Sequence, residues 1–178
     1  MFLLLLALWP LVSAQVTVTT SRGAVTGFHE DLGSDRTKVF YGSADVFLGI
    51  PFAKPPIGEL RWKLPQRICD YGTGINATAY RDQCPESNVY ARDPRYPPFH
   101  PSDDCLYLNV ITPRITGKFP VMVWIHGGAL QSGAADLFDY RGGIRNLVSH
   151  DVVVVTIQYR LAMTGFFTTY TEDFPPNR

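Results

Sequence analysis

The stretch His126-Gly127-Gly128-Ala129 has the residue types and spacing of an anion-binding turn, and it directly follows the apolar run Val121–Ile125. Glycines let the backbone turn sharply and leave its amide hydrogens accessible. Successive amides that point the same way form a nest for an anion. Where the anion is a carbonyl oxygen that gains charge during nucleophilic attack, the nest is an oxyanion hole, and each donor stabilises the transition state by roughly 3 to 4 kcal/mol. The candidate donors are Gly127, Gly128 and Ala129.

Other interpretations of the same glycines are open. They also fit a plain turn that ends a strand. A phosphate site is disfavoured, because the spacing is not that of a dinucleotide fingerprint and no Gly-Lys-Ser/Thr follows. No motif in the chain indicates a cofactor or a metal ion, so none is expected.

The elements that would position this turn lie in the C-terminal half. Strands are predicted at Cys105–Thr112, Val121–Ile125 and Asp151–Tyr159. The last two have continuous β-branched runs, which are typical of strands buried on both faces. A short helix is predicted at Ile144–Ser149, after a break at Gly142-Gly143. Strand, helix and strand form a parallel βαβ unit, and in such sheets ligands bind beyond the carboxyl ends of the strands, where the glycine turn begins.

The N-terminal half has the pattern of an antiparallel sheet. Gln15–Thr20 alternates polar and apolar residues, the period of a half-exposed strand. Shorter β-rich pieces follow at Ala24–Thr26, Val39–Tyr41 and Val46–Leu48. The proline-rich segment Pro51–Trp62 is expected to be irregular.

Composition and the N-terminus bear on location and partners. The 178 residues carry a formal net charge of zero, which indicates neither nucleic acid nor a membrane surface as a partner. The apolar run Phe2–Val12 and the small residues Val12-Ser13-Ala14 predict a signal peptide over residues 1–14 and a secreted chain from Gln15 to Arg178; an N-terminal anchor or buried helix is the alternative. No second run is long enough to span a membrane.

The three cysteines, Cys69, Cys84 and Cys105, allow three pairings, each of which leaves one thiol over. In an oxidising compartment a disulfide is the default. Residues from Cys69 to Asp104 read as a long surface loop, which such a bridge would tie down. The sequon at Asn76 predicts N-glycosylation of that loop.

Several separate motifs together resemble the type-B carboxylesterase and cholinesterase family, which has the α/β-hydrolase fold. The likeness runs from about Gln15 to Phe167. The resembling stretches are Gly49–Ala53 with Pro55-Pro56 and Leu60–Trp62, the segment Asp103–Val110 (DDCLYLNV), the turn Val123–Gly128 (VWIHGG), and Val153–Thr156 with Tyr159–Leu161 and Gly165-Phe166.

The resemblance implies roles for individual residues. The amides of Gly128 and Ala129, with Gly127 beside them, match the family's oxyanion donors. Cys84, which precedes a proline, matches the disulfide partner of Cys105, and this leaves Cys69 unpaired or bridged to another chain.

The chain also departs from the family pattern. Ala129 replaces a third glycine, Leu130 the usual phenylalanine, and Ala162 the glycine of YRLG. No tryptophan lies between Cys84 and Cys105, where cholinesterases carry the aromatic residue that stacks on choline. A carboxylesterase therefore fits better than a cholinesterase.

The largest departure concerns the rest of the catalytic machinery. The sequence contains no Gly-x-Ser-x-Gly, and its four histidines all precede the position of the family's base. The expected fold is α/β, an incomplete α/β-hydrolase sheet over residues 15–178 with a bare apolar edge. The expected function is that of an N-terminal fragment of a secreted carboxylic ester hydrolase, which acts on a small ester only within a longer chain and is inactive as given. The alternatives are a non-catalytic, neuroligin-like adhesion protein and a short secreted subunit joined to a partner through Cys69.

Overall fold

The computed structural model describes residues 14–87 and 100–172. The predicted signal segment up to residue 13 and residues 88–99 of the predicted surface loop lie outside the described residues. Within them, the strands are β1 Gln15–Thr20, β2 Gly23–Asp31, β3 Ser43–Pro51, β4 Ile75–Asn76, β5 Tyr107–Thr112, β6 Val121–Ile125 and β7 Val153–Ile157; the helices are α1 Tyr140–Asn146 and α2 Ala162–Phe166, with 3₁₀ turns at Gly58–Leu60 and Val148–His150.

Seven strands form one mixed sheet in the described part of the chain, in the order β1-β2-β3-β5-β7-β6, with β4 added beside β2. The pairs from β1 to β7 along this path are antiparallel. β6 and β7 run parallel, with Val121 opposite Val153 and Ile125 opposite Ile157. The prediction of antiparallel strands that lead into a parallel βαβ unit is confirmed.

Each face of the sheet has its own apolar cluster. On one face, Val46, Leu48, Ile111 and Val154 pack against Ile144 of α1 and Val148 of the following 3₁₀ turn. On the other, Val25, Phe47 and Ala77 form the buried centre of a second cluster. The alternation of side chains along each strand sends neighbouring residues, such as Val46 and Phe47, into different clusters.

Two predicted boundaries were wrong. Val39–Tyr41 is a series of bends rather than a strand, and β3 begins at Ser43, where pairing with Asp31 of β2 starts. Gly142-Gly143 does not break the helix. Asp139 caps α1 by accepting a hydrogen bond from the Arg141 amide, and the helix continues through both glycines. The glycines lower helix propensity by about 1 kcal/mol each, but Ile144 is fully buried and holds α1 to the sheet.

Four strands differ in length from their predicted ranges, and one of them is β3, which covers Ser43–Pro51 where only Val46–Leu48 was predicted. The piece predicted at Ala24–Thr26 is the middle of the nine-residue β2, because both neighbours extend its pairing. The strands predicted at Cys105–Thr112 and Asp151–Tyr159 are shorter and begin at Tyr107 and Val153.

β6 lies at the edge of the sheet, and no described strand pairs with its outer side. The prediction that it is buried on both faces was wrong: Val121 is 59% exposed, Met122 52%, Val123 56% and Ile125 63%. The expected bare apolar edge is therefore present. Among residues 14–87 and 100–172, no helix has the length and apolar character needed to cross a bilayer.

Candidate functional site

The candidate site is a left-handed turn that starts at Gly128, three positions after the last residue of β6. Gly128, Ala129 and Leu130 have positive φ values of 125°, 54° and 62°. The Gly128 carbonyl accepts hydrogen bonds from the amides of Gln131 and Ser132, both at 3.0 Å. These bonds close a single turn with the opposite hand to that of an α-helix. As at the start of a helix, the first amides of the turn have no acceptor within the turn.

Those amides are available to a ligand. No described residue accepts a hydrogen bond from the amides of Gly127, Gly128 or Ala129. The three residues line a largely apolar cavity of about 520 Å³, together with neighbours from the ends of β6 and β7. This cavity is a shallow depression that is widely open to solvent, so it exposes the turn and does not enclose a ligand.

The turn is tightly packed at Gly128 and strained just after it. A Cβ on Gly128 would lie 1.9 Å from the Ser132 carbonyl oxygen, so only glycine fits. Ala129 and Leu130 carry side chains at positive φ, which costs L-residues about 1 to 2 kcal/mol each. Strain of this kind persists where the surrounding structure enforces it, and it is common at functional sites.

His126 supports the turn from behind. It is 3% exposed, and its ring stacks on Tyr159, with 4.2 Å between centroids and an interplanar angle of 15°. Tyr159 Oη donates a 2.6 Å hydrogen bond to the His126 carbonyl. Burial lowers the pKa of His126, which keeps the ring neutral at pH 7. Its Nδ1 then donates to the Gly127 carbonyl at 3.0 Å, which fixes the tautomer.

The segment that follows β7 holds the exposed side of the turn. The Ala162 amide donates a 2.8 Å hydrogen bond to the Leu130 carbonyl. Ala162 itself has a positive φ of 47°, at the position where the family resemblance predicts glycine. Both departures from glycine, Ala129 and Ala162, thus lie at left-handed backbone positions of the same site.

The predicted disulfide joins Cys84 to Cys105, with 5.0 Å between their Cα atoms. Cys69 is an exposed free thiol. Sequence reasoning missed the acidic and amide side chains near this bridge. Glu86 accepts a hydrogen bond from the Gly133 amide at 2.9 Å, and Gln83 donates to both carboxylate oxygens of Asp136. No local pattern marks them, because each partner lies about fifty positions away.

Other candidate groups lie away from the turn. Asn76 is exposed in β4, beside β2 and far from the β6 edge, and the Thr78 hydroxyl donates to its side-chain oxygen at 2.8 Å. Ser149 and His150 contact each other at 3.1 Å, but they precede β7, whereas the turn follows β6, its parallel neighbour. Within the described residues, no group of three His, Cys, Asp or Glu side chains could hold a metal ion.

Comparison with known proteins places this geometry in a family. The sequence model described as "Carboxylesterase family" matches residues 14–178. Liver carboxylesterase 1 from Oryctolagus cuniculus is 41% identical over 175 residues, which cover 92% of this chain and 30% of that protein. Gut esterase 1 from Caenorhabditis briggsae is 40% identical over 162 residues, or 90% of this chain and 26% of that protein.

The fold agrees with the sequence comparison. The crystal structure of juvenile hormone esterase from Manduca sexta, which has OTFP covalently attached, matches with a TM-score of 0.76 and 30% identity, over 92% of this chain and 30% of that one. The chain thus spans about a third of the length of the relatives it matches, and its sheet corresponds to part of an α/β-hydrolase sheet. On sequence and fold together, the chain belongs to the carboxylesterase family.

Proposed function

We propose that the chain supplies the oxyanion-binding part of a carboxylic ester hydrolase. The observation that carries the proposal is the set of backbone amides at Gly127, Gly128 and Ala129, which lack an acceptor among the described residues and line a cavity at the carboxyl end of β6. Attack on an ester carbonyl places negative charge on its oxygen. Amides already held in place stabilise that charge without reorganisation, and they do so best where water is excluded.

The amides cannot start the reaction. Acyl transfer to water needs a nucleophile, and a base that activates it. The Nε2 of His126, which would have to take the proton, is buried and contacts no hydroxyl or thiol among the described residues, so no described nucleophile is within its reach. Ser149 and His150 lie at the opposite end of the parallel strands. We therefore propose that the chain does not turn over esters by itself, and that a longer polypeptide containing it hydrolyses small esters.

The mass of the native protein and its esterase activity together test this proposal. The native protein is captured with an antibody to the chain, deglycosylated and weighed, and its turnover of p-nitrophenyl butanoate is measured. We expect a protein several times heavier than Gln15–Arg178 whose turnover is abolished by a serine-directed organophosphate. A heavy protein without turnover would favour the adhesion protein. A product of the mass of residues 15–178 would favour the secreted subunit, and turnover by that short product would contradict the proposal.

The donors can be tested in the active protein by replacing the Ala129 residue with lactic acid, which turns its amide into an ester and removes one N–H. Turnover should fall by a factor of about 100 to 1000 with little change in KM. The same replacement at Ser132, whose amide is bonded to the Gly128 carbonyl within the turn, is the control for backbone chemistry. Equal losses at both positions would mean that the Ala129 amide has no special role.

Secretion and glycosylation belong to the same proposal. The disulfide and the exposed sequon at Asn76 support passage through an oxidising secretory compartment. Expression of the full chain in secretory cells should release a protein that begins at Gln15. Glycosidase treatment should lower its mass in one step, and Asn76→Gln should abolish that step. A retained protein that begins at Met1 would contradict this part.

A further inference from the structure

The far end of the turn is held by a segment from much earlier in the chain. The Glu86 carboxylate accepts a hydrogen bond from the Gly133 amide, with 2.9 Å between Oε2 and N and 47 positions between the residues. Next to it, the Ser87 amide donates a 2.9 Å hydrogen bond to the Gln131 carbonyl. Glu86 and Ser87 thus bind the C-terminal side of the turn, Glu86 through its side chain and Ser87 through its backbone amide.

The residues just before Glu86 are fixed to the rest of the fold by a disulfide and by side-chain hydrogen bonds. Cys84 is fully buried and bonded to Cys105, two residues before β5. Gln83 is also buried, and its amide nitrogen donates to both carboxylate oxygens of Asp136, at 2.7 and 2.5 Å. Because the covalent bond ties Cys84 to the base of a central strand, the position of the Glu86 backbone is set by the sheet.

Gly133 lies in close contact with His126 and Gly127, the two residues before the turn. Its φ is 118°, and a Cβ there would lie 2.4 Å from the Gly127 carbonyl oxygen and 2.4 Å from His126 Nδ1. The Gly133 backbone therefore touches the residues that immediately precede Gly128. A shift of Gly133 would open or tilt the first amides of the turn.

We propose that Glu86 is a positioning residue for the oxyanion donors. Its carboxylate holds the Gly133 amide, and Gly133 restricts where Gly127 lies. That restriction fixes the orientation of the Gly128 and Ala129 amides. The inference rests on the proposed function of those amides. Because a carboxylate repels a nearby anion, the useful property of the side chain is its hydrogen bond and not its charge.

The test uses the full chain with its disulfide oxidised and with Val123→Lys on β6 to prevent association at that exposed edge. Butanoate is the anion probe, and three variants at position 86 are compared in this background. Glu86→Gln keeps an acceptor oxygen and removes the charge. Glu86→Asp keeps the charge and shortens the reach by one methylene. Glu86→Leu removes the acceptor at similar volume. Glu59→Leu, at an exposed acidic residue of the 3₁₀ turn Gly58–Leu60, is the matched control.

Butanoate binding is read from the ¹H–¹⁵N resonances of Gly128 and Ala129. In Glu86→Leu we expect butanoate to bind about tenfold more weakly, a loss of about 1.4 kcal/mol of binding free energy, because the Gly128 and Ala129 amides are no longer held in one orientation. We also expect both amides to exchange faster with solvent. Glu86→Gln should bind at least as tightly as the original chain, and Glu86→Asp should fall between the two. Glu59→Leu should change nothing.

Two results would overturn the proposal. One is wild-type binding and unchanged Gly128 and Ala129 resonances in Glu86→Leu and Glu86→Asp. The other is a Glu86→Gln variant as weak as Glu86→Leu, which would make charge the cause. Thermal melts show whether a variant has lost its fold, and if Glu86→Leu has, the comparison of Glu86→Gln with Glu86→Asp still decides.

Failure of the proposed function would look different. Butanoate would then shift no amide of the turn in the original chain. The resonances and exchange rates of Gly128 and Ala129 in the butanoate-free variants would still follow residue 86 if Glu86 positions them. The two results together would mean that Glu86 positions the turn but that the turn is not an oxyanion site. The first result with no effect of the variants would contradict both proposals.

Discussion

The two edges of the sheet are built in opposite ways. β1 alternates along its length, so that the exposed residues include Gln15, Thr17 and Thr19, and its turn into β2 bonds within itself. β6 has five apolar residues and no polar side chain, and four of the five are more than half exposed. A threonine edge tolerates water, whereas an apolar edge of this kind associates with other chains unless it is covered.

The difference shows which part of the molecule depends on further structure. β1 can end a sheet, but β6 cannot do so without a cost in solubility. The candidate turn begins at Gly128, three positions after the end of β6, and Ile125 at the end of that strand lines the same surface depression. Whatever covers β6 therefore also closes one side of the candidate site. The candidate site therefore lies beside the edge that most needs a covering element.

The largest effect is expected when a charged side chain is placed on each edge strand. Val123→Lys, at the middle of β6, should convert a chain that self-associates at micromolar concentration into one that stays monomeric. Thr19→Lys, on β1, should leave the association unchanged. Light scattering over a concentration series measures both. Concentration-independent scattering of the original chain would show that the two edges do not differ in solution.

The next largest effect is expected at Gly128. Gly128→Ala should lower the free energy of unfolding by about 3 kcal/mol, because the added Cβ must move the Ser132 carbonyl and adopt a left-handed conformation. Gly127→Ala should change it by less than about 0.5 kcal/mol, because its Cβ meets no atom within 4 Å and its φ is not positive. Urea titration of the two variants tests this. Similar losses would mean that the turn is not tightly packed.

A pH dependence should follow from His126. Its pKa in the folded chain is lowered by burial, so as pH falls below about 6.5 the unfolded chain takes up a proton that the folded chain resists. Stability contributed by the neutral ring is present above that pH and is lost as pH falls toward the folded value. His126→Phe keeps a ring against Tyr159 and should flatten the stability curve between pH 7.5 and pH 5. If the free energy of unfolding of His126→Phe falls with pH as steeply as that of the original chain, another group causes the pH dependence. His150→Asn, at an exposed position, is the control.

The smallest effect is expected when alanine is replaced by glycine at a strained position of the turn and at an unstrained position of β2. Ala129→Gly should raise the free energy of unfolding by up to about 1 kcal/mol, since relief of left-handed strain exceeds the added flexibility of the unfolded chain. Ala24→Gly in β2 should lower it by about 0.5 to 1 kcal/mol, since no strain is relieved there. Thermal melts that move in the same direction would contradict the strain at Ala129.

The edges could be predicted from the sequence to the residue, and the interior could not. β1 and β6 carry direct signals, alternation in one and an unbroken apolar run in the other. Val39–Tyr41 has the composition of a strand, but pairing with β2 begins only at Ser43. The helix through Gly142-Gly143 depends on the burial of Ile144, a tertiary contact that local propensity does not contain.

The candidate site divides in the same way. Gly127, Gly128 and Ala129 could be proposed from the sequence because they are consecutive residues, and their role as oxyanion donors stays a prediction. Glu86 was not, because its hydrogen bond to Gly133 spans 47 positions and nothing nearby in the sequence indicates it. The exposure of β6 was also missed in part, because a β-branched run indicates burial but not whether the covering element is present.

The left-handed turn has a consequence for chirality. Ala129 and Leu130 hold φ values of 54° and 62°, the mirror image of an ordinary helix. A D-amino acid has its low-energy helical region at these angles. Chemical ligation that places D-alanine at position 129 would therefore match the backbone that the L-residue adopts only under strain, whereas D-alanine at position 24 would disrupt β2. At Ala129 and Leu130 the backbone of L-residues thus adopts the left-handed conformation that D-residues prefer.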